Sequence, residues 1–292
     1  MRILITGVNG FIGQHMAKLL SAQHEVLGVT RAPKSDDNLL AIKSISADLS
    51  TSGFVNLLPS GIDCIIHLAQ STQYRNFPEG AEDMRRVNID ATCELLEWAR
   101  IDGVKQFIFS STANVYGNTN QQMTEVHVTQ PESFYGASKL AAEHLLKQYQ
   151  TYFQVDVLRL FTVYGPGQRG TLIPNIADRI RQGQSVTLAD GIGLTLSPVY
   201  VGDVAEIASQ LIEMPKTNGY RVLNVCGDNI NELSEIISIL EEIIGVKAKI
   251  QLTHEKSQYF AGSNHNLKRF IDLGNMTALK DGLLKTFTYA RP

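Results

Sequence analysis

In the segment SFYGASKLAAEH, Tyr135 and Lys139 stand four residues apart within helically spaced apolar residues, so both side chains lie on one helix face. An ammonium beside a phenol favours the phenolate and lowers its pKa, and a bound cationic ring would act the same way. The product is a proton shuttle usable near neutral pH. A partly buried aromatic beside a snorkelling surface lysine has the same spacing, and the pair alone does not choose between the two.

A second constellation opens the chain. In TGVNGFIG, Gly7, Gly10 and Gly13 follow the apolar run RILIT and lead into a helical segment from Phe11 to Ser21. Gly7 suits a tight turn, Gly10 lets backbone approach a pyrophosphate, and Gly13 lets helix and strand pack closely. The helix start at Phe11, Ile12 and Gly13 then offers N–H groups and the positive dipole end. The spacing G-x-x-G-x-x-G differs from the usual G-x-G-x-x-G, and a plain strand-to-helix turn is the alternative.

These residues need elements to hold them. Short apolar runs at 2–6, 25–30, 42–47, 63–69, 106–111 and 156–161 read as strands. Helical segments from Phe11 to Ser21, Met84 to Ile101 and Phe134 to Tyr152 lie between them. The alternation predicts an α/β fold: a doubly wound parallel sheet covered on both faces, with CIIHLA and FIFSS as buried strands. After Leu160 the texture changes, and a boundary near Val163 divides a domain at 1–163 from a smaller mixed domain at 164–292, whose elements can interleave. In the second part, 173–183 and 231–245 read as amphipathic helices, the latter capped by Asn231 and stopped by Gly245, with YRVLNVC and VKAKIQL as strands.

Composition bounds the function. The 292 residues are 43% hydrophobic and 19% charged, enough for a well-buried core. A net charge of −3 without Lys/Arg blocks gives no footprint for nucleic acid or a membrane surface. Cys64, Cys93 and Cys226 are widely spaced and form no CxxC pair, which argues for reduced thiols and against a disulfide framework or a metal site. No signal-peptide pattern and no membrane-length apolar run is present, so a cytoplasmic protein is expected.

TGVNGFIG, IIHLA, SSTANVYG, YGASK and LRLFTVYGPGQ occur in the order found in the extended short-chain dehydrogenase/reductases, and the chain resembles their sugar-nucleotide epimerase/dehydratase group over most of its length. The resemblance implies a Rossmann domain that binds NAD(P) and a C-terminal domain that binds a nucleotide sugar, in a homodimer joined through the helices at 84–101 and 134–152. It implies that Tyr135 exchanges the proton, that Thr112 orients the reacting sugar oxygen, and that Lys139 holds the nicotinamide ribose while tuning the tyrosine. It further implies cofactor contacts from Gly7, Gly10, Phe11, Ile12 and Gly13 and from Asp48 and Leu49 at the adenine. Leu68, Ala69, Gln70, Asn88, Ser110 and Phe161 would complete the cofactor site, and Thr162 and Arg169 would join Thr112 around the substrate. His67, in the same apolar strand, reads as a satisfied core histidine.

Three departures from the family pattern bear on chemistry. Ala113 and Asn114 stand where family dehydratases carry an acidic pair, which argues against dehydration. Thr30 replaces the acidic residue that NAD-preferring members place after the second strand, and Arg31, helped by Lys34, would welcome a 2′-phosphate, so NADP is preferred over NAD. Leu196 stands where the epimerase pattern has the arginine that clamps the substrate diphosphate, leaving Arg169 or Arg221 as substitutes. The reading is a 4-epimerase that removes and returns hydride through a keto sugar. An NADPH-dependent reductase of a 4-keto sugar nucleotide is the alternative. A non-catalytic dinucleotide sensor is opposed by the intact Tyr135 and Lys139.

Overall fold

The strands of the first half are short runs of Ile, Val, Leu and Phe whose side chains are buried on both faces, which is what a sheet layered between helices requires. The computed structural model describes residues 1–31, 42–272, 274 and 276–288; Lys34 lies outside them. Its strands are β1 Arg2–Thr6, β2 Glu25–Thr30, β3 Lys43–Ser46, β4 Cys64–His67, β5 Gln106–Thr112, β6 Gln154–Leu160, β7 Val163–Tyr164, β8 Ser185–Ala189, β9 Thr195–Leu196, β10 Val199–Tyr200, β11 Gly219–Val225, β12 Asn231–Glu232, β13 Lys249–Thr253 and β14 Tyr259–Phe260. The helices are α1 Phe11–Leu20, α2 Ala81–Arg85, α3 Ala91–Asp102, α4 Phe134–Gln148, α5 Leu172–Arg181, α6 Val201–Glu213, α7 Leu233–Ile244 and α8 Leu279–Thr288.

The chain divides into two compact units that interleave along the sequence. One comprises Met1–Gly117, Val128–Arg159 and Ala205–Leu223. The other comprises Asn118–His127, Leu160–Val204 and Asn224–Pro292. The main sheet has seven strands in the order β11-β6-β5-β4-β1-β2-β3, a doubly wound order that reverses direction beside β1. β1 pairs in parallel with both β2 and β4, in registers that put Thr6 beside Val29 and His67, and β5 runs parallel to β4. The C-terminal ends of β1, β4 and β5 therefore come together, which is where such a sheet places its ligand.

The second unit packs Ile173, Ile176 and Ile180 of α5 with Ile236, Ile237 and Leu240 of α7 over Val186 and Leu188 of β8. β8 pairs in parallel with β13, and β9 is flanked by β12 and β14. Among the described residues no helix is long and apolar enough to cross a membrane. The cysteines are free.

Three expected elements differ in detail. The helix at 231–245 is capped by Glu232 rather than Asn231, because Glu232 and Glu235 exchange side-chain bonds with each other's backbone N–H in a capping box; Gly245, at φ 75°, ends it. The segment at 84–101 is not one α-helix. α2 and α3 are joined by a π-helical turn, Arg86–Asp90, that carries Asn88. The helix starting at Phe134 stops at Gln148 rather than Tyr152.

Candidate active site

At the end of β1 the chain turns through Gly7, whose φ of 70° favours glycine. A Cβ on Gly7 would lie 2.9 Å from the Ala69 nitrogen, and one on Gly13 would lie 2.3 Å from the Gly7 carbonyl oxygen, so the turn can close only with glycine at both places. Gly10 caps α1 in an extended conformation and offers no side-chain bond to the helix start, and the first turn holds no acidic residue. The N–H groups of Phe11, Ile12 and Gly13 are thus left for an anion.

The neighbouring strand ends are fixed by a relay of hydrogen bonds. The Ala69 N–H donates to Thr6 Oγ1 (3.2 Å), and Thr6 Oγ1 lies 2.6 Å from His67 Nδ1. On the other side of the ring, Nε2 is 3.1 Å from Thr92 Oγ1, which itself donates to the Asn88 carbonyl (2.8 Å). The only assignment that satisfies every member makes Nε2 the donor and Nδ1 the acceptor, a neutral imidazole. Burial, then the Lys139 charge, lowers its pKa to about 3. His67 is structural in this geometry, a fully satisfied core histidine.

Asn88 is used at both ends of its amide: Oδ1 accepts from the Ser71 N–H (2.9 Å) and Nδ2 donates to Ser138 Oγ (2.9 Å). Ser138 in turn donates to the Tyr135 carbonyl (2.8 Å), which anchors the first turn of α4. Ser110 donates to the His67 carbonyl (3.1 Å), Asp48 closes an exposed turn onto Ser50, and Leu49 is buried in the core beneath. Leu68 and Ala69 are half-buried at the exit of β4.

α4 presents the reacting groups. Ser133 caps it by accepting from the Gly136 N–H (3.0 Å), and close packing of Gly136 fixes its start: a Cβ there would lie 2.6 Å from the Asn114 carbonyl. Tyr135 donates its hydroxyl to Gln70 Oε1 (2.9 Å), and Tyr74 lies against its ring at 5.4 Å. Burial pushes the phenol up to about 12, against a hydrogen bond with Thr112 that lowers it. Thr112, at the end of β5, accepts from the Asn114 N–H (3.2 Å) and Nδ2 (2.9 Å), leaving its own proton to be donated.

One turn further along α4, the Lys139 ammonium is fully buried, 4.2 Å from the centre of the Phe109 ring, and has no hydrogen-bond partner among the described residues. Burial lowers its pKa to about 7, against an upward pull from Glu143. A buried ammonium with three unused donors fits a bound ribose diol, and the glycine turn with its uncapped helix start fits a pyrophosphate. The residues of this unit therefore suit a dinucleotide. Arg31 is exposed just past β2, where Thr30 accepts from Asn9 Nδ2 (2.9 Å).

In the second unit, Phe161 is buried against Phe260 with ring centres 5.8 Å apart, and Thr162 is half-buried with its carbonyl accepting from the Val199 N–H. Arg169 is exposed in a turn with positive-φ glycines at 167 and 170. Leu196 is fully buried in the apolar core, so no cation stands at that position. Arg221 does not substitute for it: its Nε is 2.6 Å from the fully buried Asp156 carboxylate. Sequence reasoning missed Glu143 and Arg159, and read Asn114 only as the absence of an acid, not as the residue that holds Thr112. Glu143 was visible only as another charge at helical spacing from Lys139, and Arg159 as a charge inside an apolar strand.

Residues 3–226 match the family described as NAD dependent epimerase/dehydratase. Over 312 aligned residues the chain is 30% identical to a Bacillus subtilis protein described as the uncharacterized UDP-glucose epimerase YtcB, covering 99% of this chain and 98% of that one. It is 28% identical to the GDP-6-deoxy-D-mannose reductase of Pseudomonas aeruginosa, covering 85% of this chain and 82% of that one. Among solved structures, the UDP-glucuronic acid 4-epimerase of Bacillus cereus in complex with UDP-glucuronic acid and NAD superposes with a TM-score of 0.88 at 27% identity, covering 99% and 98% of the two chains.

Proposed function

The chain belongs to the NAD dependent epimerase/dehydratase family, and from that premise we propose that it is a sugar-nucleotide 4-epimerase that takes a UDP-sugar. The observation that carries the reading is the buried Lys139 ammonium, without a hydrogen-bond partner among the described residues, one turn from Tyr135 on α4. When bound, the nicotinamide supplies reversible hydride transfer at C4, so the sugar passes through a 4-keto form and no net redox change results. Tyr135 takes the C4 hydroxyl proton as the keto form develops and gives it back afterwards. Thr112 donates to the same oxygen, and Lys139 donates to the nicotinamide ribose while its charge favours the tyrosinate.

The turn at Gly7, Gly10, Phe11, Ile12 and Gly13 takes the pyrophosphate; Asp48 and Leu49 border the adenine; Leu68, Ala69, Gln70, Asn88, Ser110 and Phe161 line the rest. Thr162 and Arg169 serve the substrate, with Arg169 the exposed cation that meets its diphosphate in place of Leu196. Residues 1–163 supply most of the dinucleotide site and 164–292 most of the substrate site. We assign the enzyme to the cytoplasm as a homodimer packed through α3 and α4. Ala113 and Asn114, short and uncharged, offer no acid for water elimination.

The cofactor preference is for NADP. Thr30 carries no charge to repel a 2′-phosphate and Arg31 offers it an exposed guanidinium. Arg31→Ala is expected to lower the NADPH-to-NADH affinity ratio by about tenfold or more, as for other lost hydrogen bonds to charged groups, in calorimetric titrations. A wild type that prefers NADH rejects the assignment.

The test of function is to incubate the protein with UDP-glucose, UDP-glucuronate and UDP-N-acetylglucosamine and follow C4 inversion by proton NMR alongside absorbance at the NADH band. Inversion without net cofactor reduction is expected. Arg31 and the buried Leu196 favour a second reading, reduction of a 4-keto sugar nucleotide, which would show as stoichiometric NADPH consumption and no inversion.

A further inference from the structure

On the buried face of α4, one turn beyond Lys139, lies a second charged residue that the proposed reaction does not use. Glu143 is 2% exposed, and its carboxylate accepts from Arg159 Nε (3.1 Å) and Nη2 (2.7 Å) on β6 and from Ser111 Oγ (2.5 Å) on β5. Ser111 is the residue before Thr112. The Arg159 guanidinium also lies 4.7 Å from the ring centre of Tyr116, just past the 3-10 turn that Thr112 caps. Burial opposes the Arg159 charge, and the Glu143 bonds more than offset it, so its pKa is raised.

Stability alone is a poor account of this pair. Burying two charges costs more than a surface pair gains, and replacement of such pairs by apolar residues is often neutral. The groups facing Lys139 can be taken element by element. On α4 they are Tyr135, a neutral phenol, and Glu143. On β5 there is Phe109, with Ser111 beyond it. On β4 there is His67, held neutral; on β6 there is Arg159, its charge engaged by Glu143 through two bonds; and from β11 Tyr220 reaches the Glu143 carbonyl (3.4 Å). Glu143 stands four residues from Lys139 on the same buried face of α4, and its charge pulls the lysine's pKa upward against burial.

We propose that Glu143 is a positioning residue: braced by Arg159 and Ser111, its carboxylate keeps Lys139 charged for the nicotinamide ribose and ties that charge to the strand end bearing Thr112. The inference rests on the reading of Lys139 as a cofactor ligand. It assigns to one carboxylate two tasks, electrostatic support of the ammonium and registration of α4 on β5. The role differs from a plain structural ion pair in one measurable respect, the pH at which cofactor affinity is lost.

The experiment is calorimetric titration of NAD, or of NADP where NAD does not bind, into the 292-residue protein between pH 6 and pH 9, with thermal unfolding run in parallel. Wild-type affinity is expected to fall on the alkaline side as Lys139 deprotonates. In Glu143→Gln that fall moves to lower pH by about one unit, a tenfold affinity loss at pH 7.5 that shrinks at pH 6. Glu143→Asp, which keeps the charge, leaves the fall where it is even if the protein melts earlier. Should Glu143→Gln not fold because Arg159 is left unpaired, Glu143→Gln/Arg159→Gln removes both charges and is expected to move the fall in the same direction but less far, because the Arg159 charge, which opposes the ammonium, leaves with the carboxylate. A folded double variant whose pH curve superimposes on wild type overturns the proposal, as does an Asp variant displaced as far as the Gln variant. Wild-type protein that binds neither NAD nor NADP at any pH removes the premise about Lys139, and the inference with it; that result is distinct from a wild-type curve with an undisplaced variant.

Discussion

Tyr135 and Lys139 are a pair whose two members are each held away from their working state by burial. The phenol is pushed up to about 12 and the ammonium down to about 7, so neither is poised without further charge in the site. A bound cofactor ring supplies positive charge to the phenol, and ribose oxygens supply acceptors to the ammonium. Tyr135→Phe, which deletes one oxygen, is therefore expected to lower turnover by about a hundredfold or more while NAD affinity, read by titration, stays within a few-fold. Lys139→Ala is expected to lower both. The same burial makes a stability prediction. The unfolded lysine titrates at 10.5 and the folded one near 7, so between those values the unfolded chain binds more protons and stability rises with pH. In the absence of NAD, melting temperature should climb more steeply from pH 7 to 9 in wild type than in Lys139→Met, and saturating NAD should flatten the climb. Equal slopes in the two apo proteins would show that Lys139 is not desolvated as described.

At the scale of elements, the β1–α1 turn separates two kinds of glycine. Gly13 has no room: its Cβ would enter the Gly7 carbonyl and the Val8 backbone, so Gly13→Val is expected to abolish folding. Gly10 has φ −74° and ψ 169°, open to any residue, and its Cβ would meet only the Gly7 oxygen at 3.0 Å. Gly10→Val should fold, with melting within a few degrees of wild type, yet lose phosphate contacts worth on the order of 1–3 kcal/mol in NAD affinity. Unchanged affinity in a folded Gly10→Val protein would dislodge the turn from the cofactor. This turn, β1, β4, β5 and α4 were legible because their signals are local: β-rich apolar runs, glycine punctuation and a helical repeat. The π-helical turn at Arg86–Asp90 was not, since its apolar spacing continues that of α3 and no residue marks the extra loop of backbone. Nor was the cap on α7 legible: Asn231 and Glu232 are adjacent, and only the reciprocal bond with Glu235 decides between them. Glu143 and Arg159 escaped because α4 and β6, although consecutive in the chain, bring these two side chains together only once the helix is packed on the sheet, and a charge in an apolar run shows no partner.

At the scale of the whole molecule, the texture change after Leu160 is real in the sequence, but chain order and spatial grouping are different things. Residues 205–223 group with the first unit: β11 lies beside β6 in the seven-stranded sheet, and this late segment supplies partners to buried polar groups on earlier strands. Asp156, fully buried on β6, takes Arg221 Nε at 2.6 Å, and Gln106 on β5 donates both to Asp156 (2.6 Å) and to the Leu211 carbonyl (3.0 Å). A fragment ending at residue 163 keeps Asp156 and loses its arginine. The Asp156 carboxylate then keeps only its neutral donors, Gln106 and Gln154, and loses its charged partner. Losing the strand that covers β6 adds exposed apolar surface, and the total stability of a domain is only about 5–15 kcal/mol. The fragment 1–163 is therefore expected not to unfold cooperatively and not to bind NAD. The same fragment joined through a flexible glycine-serine linker to residues 205–223 is expected to regain a cooperative transition, because the linker restores Arg221, Leu211 and the β11 edge together. Circular dichroism melts and NAD titration of both chains check this, and a cooperative, NAD-binding 1–163 fragment would show that the late segment is not needed to complete the first unit.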